Sequence, residues 1–377
     1  VRMSEETFPT TLIGVITACY PVGFVIGTRL CAPIIAAIGH IRSFAAFAAM
    51  AAISTLVYPM LITPWVWAGL RLAYGLSLAG LFMVTESWLN DRTPTERRGQ
   101  VLGVYSIVTY VALGGGQFLL LTGRSGGFEL FSLAAMLIAA AVVPVTITRI
   151  VSPELPSIER VTLRALLDAS PLGVVGSALA GMINGAFLGL APVYARETGF
   201  ADAGIALLMG LSILGGFLLQ WPIGHLSDRF NRRDVLVGVS LAMSVCSLAI
   251  VLATGRGPVW VIALAVLWGG LAFTLYPIAL SLANDFLSRA QMLGATAGLL
   301  LVHGLGMIIG PLVASQLMAL IGPVGLFYAL AGAGLALGAF AWLRQRIGPP
   351  IPVGEPDTYR VVPREGVYAG GLDPRYE

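Results

Sequence analysis

Eleven stretches of this chain are long and apolar enough to cross a membrane. A helix rises about 1.5 Å per residue, so spanning about 30 Å of hydrocarbon takes about 20 mostly apolar residues. The stretches run near 11–31, 43–62, 66–88, 99–121, 129–149, 172–194, 204–226, 235–253, 259–282, 292–318 and 324–343. Short clusters of Pro, Gly and charge separate them. Composition agrees: 57% of the 377 residues are hydrophobic and 11% are charged, against about 25% charged in a soluble domain. The expectation is an all-α, polytopic membrane protein whose first partner is the lipid bilayer.

Every one of the 22 basic residues is an Arg, and their placement is uneven. One set of connections holds Arg42, Arg92, Arg97, Arg98, Arg149, Arg160, Arg164, Arg229, Arg232, Arg233, Arg289, Arg344 and Arg346; the other holds Arg2, Arg124, Arg196 and Arg256. Cations are retained on the cytoplasmic side. The first set, with the polar tail 347–377, is therefore expected in the cytoplasm and residue 1 outside. The net charge of +3 is too small, and too scattered, for a nucleic-acid surface. Cys19, Cys31 and Cys246 lie in apolar runs without metal or disulfide spacing and read as small core residues.

The chain repeats itself. Arg98-Gly-Gln-Val-Leu-Gly103 matches Arg289-Ala-Gln-Met-Leu-Gly294 at an offset of 191, Asn90-Asp91 matches Asn284-Asp285 at 194, and Trp65-Val66 with Gly75 matches Trp260-Val261 with Gly270 at 195. Duplicated helical bundles are common among transporters. The division expected is a bundle at 1–150, a cytoplasmic linker at 151–171, a six-helix bundle at 172–346 and the tail. Under this repeat the span 172–194 has its partner upstream of Val1. Twelve helices are thus expected in all, with one more apolar segment in frame in the upstream DNA.

The most specific segment is Gly224-His-Leu-Ser-Asp228-Arg229-Phe-Asn231-Arg232-Arg233. It resembles the loop signature of the major facilitator superfamily (MFS), glycine-x-leucine-x-aspartate-arginine-x-glycine-arginine-arginine. The resemblance implies a conformational latch at Gly224, Asp228, Arg229, Arg232 and Arg233, with Asn231 replacing the usual glycine of positive φ. In the corresponding stretch 32–42 Gly39 is kept, but Ala36 replaces the acid. Each Arg also satisfies the positive-inside rule; Asp228 does not follow from topology. Within the superfamily the chain is similar to the YcaD-like branch through Arg71, Val84-x-Glu86-Ser87, Arg98-Gly99, Gln220-Trp-Pro-Ile-Gly224 and Phe273-Thr-Leu-Tyr276-Pro277.

The family implies two pseudo-symmetric six-helix bundles, eleven of whose twelve helices are present here, and secondary transport of a small molecule by alternating access, coupled to protons. Arg71-Leu-Ala-Tyr74-Gly75 resembles a motif linked to proton transfer in proton-coupled members. A charge inside a span costs at least about 2.5 kcal/mol. Arg71 therefore either faces a polar interior or snorkels to the interface. Glu86 lies well inside its span, as a proton carrier or as a structural ion pair with Arg29. The helices that line the family's cavity point to Tyr74, Asn184, Trp268 and Tyr276 as well as Arg71, while His303 reads as an interhelical hydrogen bond. No nucleotide-binding loop, metal spacing or nucleophile elbow occurs, so no cofactor and no enzyme is expected. The expected setting is a bacterial inner membrane, as a monomer, moving either an efflux substrate or a small metabolite. A membrane sensor or scaffold that kept the fold is the reading from another class.

Overall fold

The computed structural model describes residues 1–94, 97–148, 162–287 and 289–347, and these form helices throughout. Backbone amides and carbonyls have no water to bond in hydrocarbon, so each spanning segment must close its own hydrogen bonds. The eleven long helices are α1 Thr10–Ile38, α2 His40–Val57, α3 Pro64–Arg92, α4 Arg98–Gly116, α5 Glu129–Ile147, α6 Pro171–Glu197, α7 Asp202–Arg229, α8 Arg232–Ala253, α9 Pro258–Asn284, α10 Arg289–Ile321 and α11 Gly325–Ile347. All eleven expected spans are found, most with an added turn at an end. Successive helices alternate in direction between an arginine-poor face, where α1 begins, and an arginine-rich face, where α2 begins. The expected linker falls mostly on residues 151–161 and the tail on 348–377, both outside the described residues.

Breaks in the helices have local causes. In α9 the helix is interrupted at Phe273–Thr274. Pro277 carries no amide proton and its ring crowds the carbonyl four residues back, which is that of Phe273. The end of α4 gives way to a 3₁₀ segment, Gln117–Thr122, after the run Gly114-Gly-Gly116. Asn231 does not take the positive φ expected of it. Its φ is −58°, and its side chain instead accepts the Arg233 amide at 3.0 Å as the N-cap of α8. The stand-in for glycine is thus a cap, whereas Gly39 in the other half does use φ 85°.

Packing follows the repeat. In the first half α3 lies along α1 and α2, and α5 along α2; in the second α9 lies along α7 and α8, and α11 along α8, with α6 set against α10. The crossings of α1 with α3 and of α7 with α9 use equivalent glycines. A Cβ on Gly23 would stand 1.9 Å from the Leu72 carbonyl oxygen and one on Gly75 2.1 Å from that of Tyr20. In the second half Gly215 meets the Val266 carbonyl at 2.3 Å and Gly269 that of Ser212 at 2.1 Å. These pairs are 192 residues apart on α1 and α7 and 194 apart on α3 and α9. The packing partner of Gly75 is therefore Gly269, one residue from the sequence match at Gly270. Small residues draw these helices together because lipid supplies no hydrophobic drive between them. Large side chains such as Ile53, Val108 and Leu252 are left exposed on the outer surface.

Gly75→Leu should lower the thermal stability of the detergent-purified protein by about 1–3 kcal/mol or more through overpacking at the α1–α3 crossing. Gly103→Leu, where nothing lies within 4 Å of the Cβ, should leave it unchanged. Melting curves read by size-exclusion recovery check both.

Candidate functional site

Along α3 the polar residues are strung out at different depths. Arg71 is half-buried in the half of α3 nearer the arginine-poor face, and its Nε has no partner among the described residues. Tyr74 lies almost one turn on, its ring centroid 6.2 Å from that of Tyr20 on α1. Glu86 follows Arg71 by fifteen residues, which at 1.5 Å each is about 22 Å along the axis. The two expected coupling residues are therefore not in contact. Glu86 is fully buried, and its Oε1 accepts the hydroxyl of Tyr105 on α4 at 3.0 Å. The ion pair weighed for Glu86 does not form: Arg29 on α1 is exposed and makes no bridge to it. Tyr105 was legible in the sequence as a polar residue of an apolar span; its bond to Glu86, 19 residues away, was not.

In the second half three of the expected cavity residues are packed inside the bundle. The Trp268 indole N–H donates to Ser247 Oγ on α8 at 2.8 Å, and its ring stacks 4.3 Å from Phe187 on α6. Tyr276 is 1% exposed, with its ring 4.5 Å from His303 on α10. Both rings are packed inside the bundle in this structure. His303 Nδ1 meets the Ser177 carbonyl on α6 at 3.3 Å, the interhelical contact expected of it.

Asn184 on α6 is different. It is 1% exposed, and neither amide atom has a partner among the described residues. Gly176 abuts Ala279 and Phe187 stacks on Trp268. Asn184 lies between those two contacts, level with the interruption in α9. An unsatisfied buried polar group costs about 1–3 kcal/mol, so the position is retained for something other than packing.

The loop cluster is organised around one guanidinium. Arg232, the first residue of α8, is 2% exposed. It donates to the carboxylate of Asp285 and to the Ser281 carbonyl at 3.1 Å, both at the end of α9, and lies 3.3 Å from Asp228 at the end of α7. Of the other expected latch residues, Gly224 is buried in α7, Arg229 is exposed, and Arg233 lies 5.9 Å over the Phe286 ring. These contacts tie α7, α8 and α9 within one bundle. Asp285 was visible in the sequence as a buried acid and an anchor of the repeat; its pairing with Arg232, 53 residues away, was not.

A second cluster lies at the arginine-poor face and joins the two halves. Arg196, near the end of α6, donates to Glu5 at 2.9 Å, to Ser125 between α4 and α5 at 3.1 Å, and to Asp202 at the start of α7. Glu5 also accepts from Ser125, and Thr10 reaches Glu197 at 3.4 Å. Below this cluster Tyr110 on α4 faces Phe217 on α7 at 5.8 Å, and Gly14 on α1 meets Pro311 and Ser315 on α10. The described contacts between halves thus run from that face to the mid-depth contact of Val25 with Gly304. Sequence reasoning counted Arg196 and Arg2 as topology markers only.

Arg232→Met should destabilise the protein by about 3–5 kcal/mol, because it leaves the Asp285 carboxylate buried without its cation. Adding Asp285→Leu should recover much of that loss, and Arg229→Met should change stability by less than about 0.5 kcal/mol. Unfolding midpoints in a denaturing detergent titration check the three.

Comparison with known proteins accords with this geometry. The family model described as Major Facilitator Superfamily matches residues 3–299 and 173–367. Proteins named as MFS-type transporter YcaD from Escherichia fergusonii and Salmonella newport are each 29% identical over 318 residues, covering 84% of this chain and 82% of theirs. Among solved structures, the nucleoside transporter NupG aligns with a TM-score of 0.70 at 17% identity, covering 91% of this chain and 92% of that one, and a variant of it with 0.72 at 16%, covering 90% and 92%. That likeness shows the fold. A multi-pass chain of paired glycine crossings, with a buried Asp-Arg-Asp cluster at one face and an Arg196 clasp between its halves at the other, belongs to the Major Facilitator Superfamily of membrane transporters.

Proposed function

We propose that this transporter is a secondary carrier of a small molecule, coupled to proton movement, working by alternating access between a bundle ending near residue 150 and one beginning near residue 172. The observation that carries the reading is Glu86: a carboxyl fully buried at mid-bundle, held by the Tyr105 hydroxyl. Such a group can change its charge in a low-dielectric interior only by exchanging a proton or gaining a cation. Arg71, about 22 Å away on the same helix, is the fixed cation of the pathway and not the direct partner of Glu86. Tyr74 and the unpartnered amide of Asn184 contribute substrate contacts. The two faces act as opposed closures, Arg196 with Glu5 and Ser125 on one side and the Arg232 cluster stiffening its bundle on the other. The arginine-rich face is taken as cytoplasmic, in a bacterial inner membrane.

Proteoliposomes enclosing a pH-sensitive dye provide the test. A panel of uncharged, zwitterionic and cationic small solutes is added under an imposed pH gradient, and solute-dependent proton movement is read. Glu86→Gln should abolish proton movement by at least tenfold while leaving solute exchange without a gradient. Arg71→Ala should reduce it comparably. Asn184→Leu should retain or raise thermal stability yet weaken solute-dependent flux. Proton movement that survives intact in both Glu86→Gln and Arg71→Ala sinks the coupling assignment, and the absence of flux for every solute in the wild-type protein favours a sensor or scaffold.

A further inference from the structure

The buried Arg232 cluster has a counterpart in the other half in which His40 stands for Arg232 and Ala36 for Asp228. The packing equivalence already established is 192 residues for α1 and α7 and 194 for α3 and α9. The 192 offset carries over to the next helices, since Gly39 and Asn231 are the N-caps of α2 and α8. Arg232 therefore corresponds to His40, the first residue of α2, while Ser281 and Asp285 correspond to Ser87 and Asp91 at the end of α3. Side-chain contacts repeat with them. His40 is 2% exposed, as is Arg232. Its Nε2 lies 3.0 Å from Ser87 Oγ, where Arg232 bonds the Ser281 carbonyl. At the end of α3 Asp91 holds the place that Asp285 holds at the end of α9, with its side chain 44% exposed and beside Arg92. In place of a guanidinium that is always charged stands an imidazole that is charged only when it binds a proton.

We infer that His40 is a proton-binding site, at which proton uptake converts the α2–α3 contact into the charged contact that Arg232 makes permanently between α8 and α9. The inference goes beyond the coupling assigned to Glu86 and does not depend on it. Nδ1 of His40 has no hydrogen-bond partner among the described residues and is the atom free to take the proton. With both ring nitrogens protonated, Nε2 donates to Ser87 and the ring carries a full positive charge facing Asp91. Proton transfer is from water at the arginine-rich face and needs no other reactant.

The surrounding charges are few. From α3 the ring faces Ser87, the Trp88 ring at 5.9 Å, and Asp91, whose other neighbour is Arg92 at 3.4 Å. From α1 the last charged side chain is the exposed Arg29; α2 itself adds Arg42, and the charged residue of α5, Glu129, is at its opposite end. The helix dipole opposes a cation at the start of α2, an effect of about 0.3–1 kcal/mol. Arg232 stands at the same helix position with two carboxylates beside it, Asp228 and Asp285; at His40 Ala36 takes the first place, and Asp91 alone offsets the charge. Gly39 at φ 85° supplies the tight entry that in the other half Asn231 supplies by capping.

The test reads the proton directly. The full chain, labelled with ¹⁵N in its imidazole rings and held in lipid nanodiscs, is titrated from pH 8 to pH 5 by NMR. Its three histidines are distinguished by the signals lost in His40→Gln. The expected result is that His40 passes from neutral to charged within this window and that Asp91→Asn moves its midpoint down by about 0.5 pH unit or more. Asp91 has a 44% exposed side chain, so this variant should fold. His40→Arg should fold and remove the part of the thermal stability that varies with pH over the same window. A His40 ring that stays neutral to pH 5, or one whose midpoint is the same in Asp91→Asn, overturns the inference, whatever the transport assays on Glu86 show.

Discussion

In hydrocarbon an amide or carbonyl without a partner has no water to turn to. That constraint makes each span a self-satisfied helix, and it moves the problem of cohesion from the hydrophobic effect to close packing. Helices surrounded by lipid gain little by hiding leucines from it. They gain by approaching until backbone meets backbone, which only a residue without a side chain allows. The four glycines at the crossings of α1 with α3 and α7 with α9 are where this happens, and their matching placement in the two halves is the clearest structural trace of the duplication.

The same constraint explains where charge is kept. Arg232 is buried with two carboxylates and a carbonyl around it, an arrangement whose desolvation cost is met only when the partners are all in place. It therefore stiffens the ends of three helices into one unit. Glu86 is buried and accepts the Tyr105 hydroxyl, and Asn184 is buried with neither amide atom bonded among the described residues. Arg196 bonds Asp202 within its own half and Glu5 and Ser125 in the other, so only the last two link the halves at that face. Rigid ends within a bundle and breakable bonds between bundles are the requirements of a rocking movement.

Much of the fold was legible because long apolar runs leave one outcome. All eleven spans, the cysteines at Cys31 and Cys246 as buried small residues, and the His303 contact could be read from the chain. The errors fall where a prediction needed the direction of a side chain. Trp268 and Tyr276 were read from the family as cavity residues, and in this structure their rings are packed against Phe187 and His303. Arg29 and Glu86 were matched by depth, but Arg29 is exposed and Glu86 buried, and no bridge joins them. Asn231 was read for its tolerance of positive φ and serves as a cap at negative φ.

The sequence by itself determined that this is a helical membrane protein, how many spans the chain contains, that its halves are related, and which family's loop it carries, because hydropathy, charge placement and local motifs act over a few residues. Only the tertiary structure decided which polar groups meet: Arg232 with Asp285, Arg196 with Glu5 and Ser125, Tyr105 with Glu86, and His40 with Ser87. Each of those contacts joins separate elements, and its existence depends on the rotation of one against another. In these helices that rotation is set by glycine crossings and a proline break, features that apolar periodicity does not register.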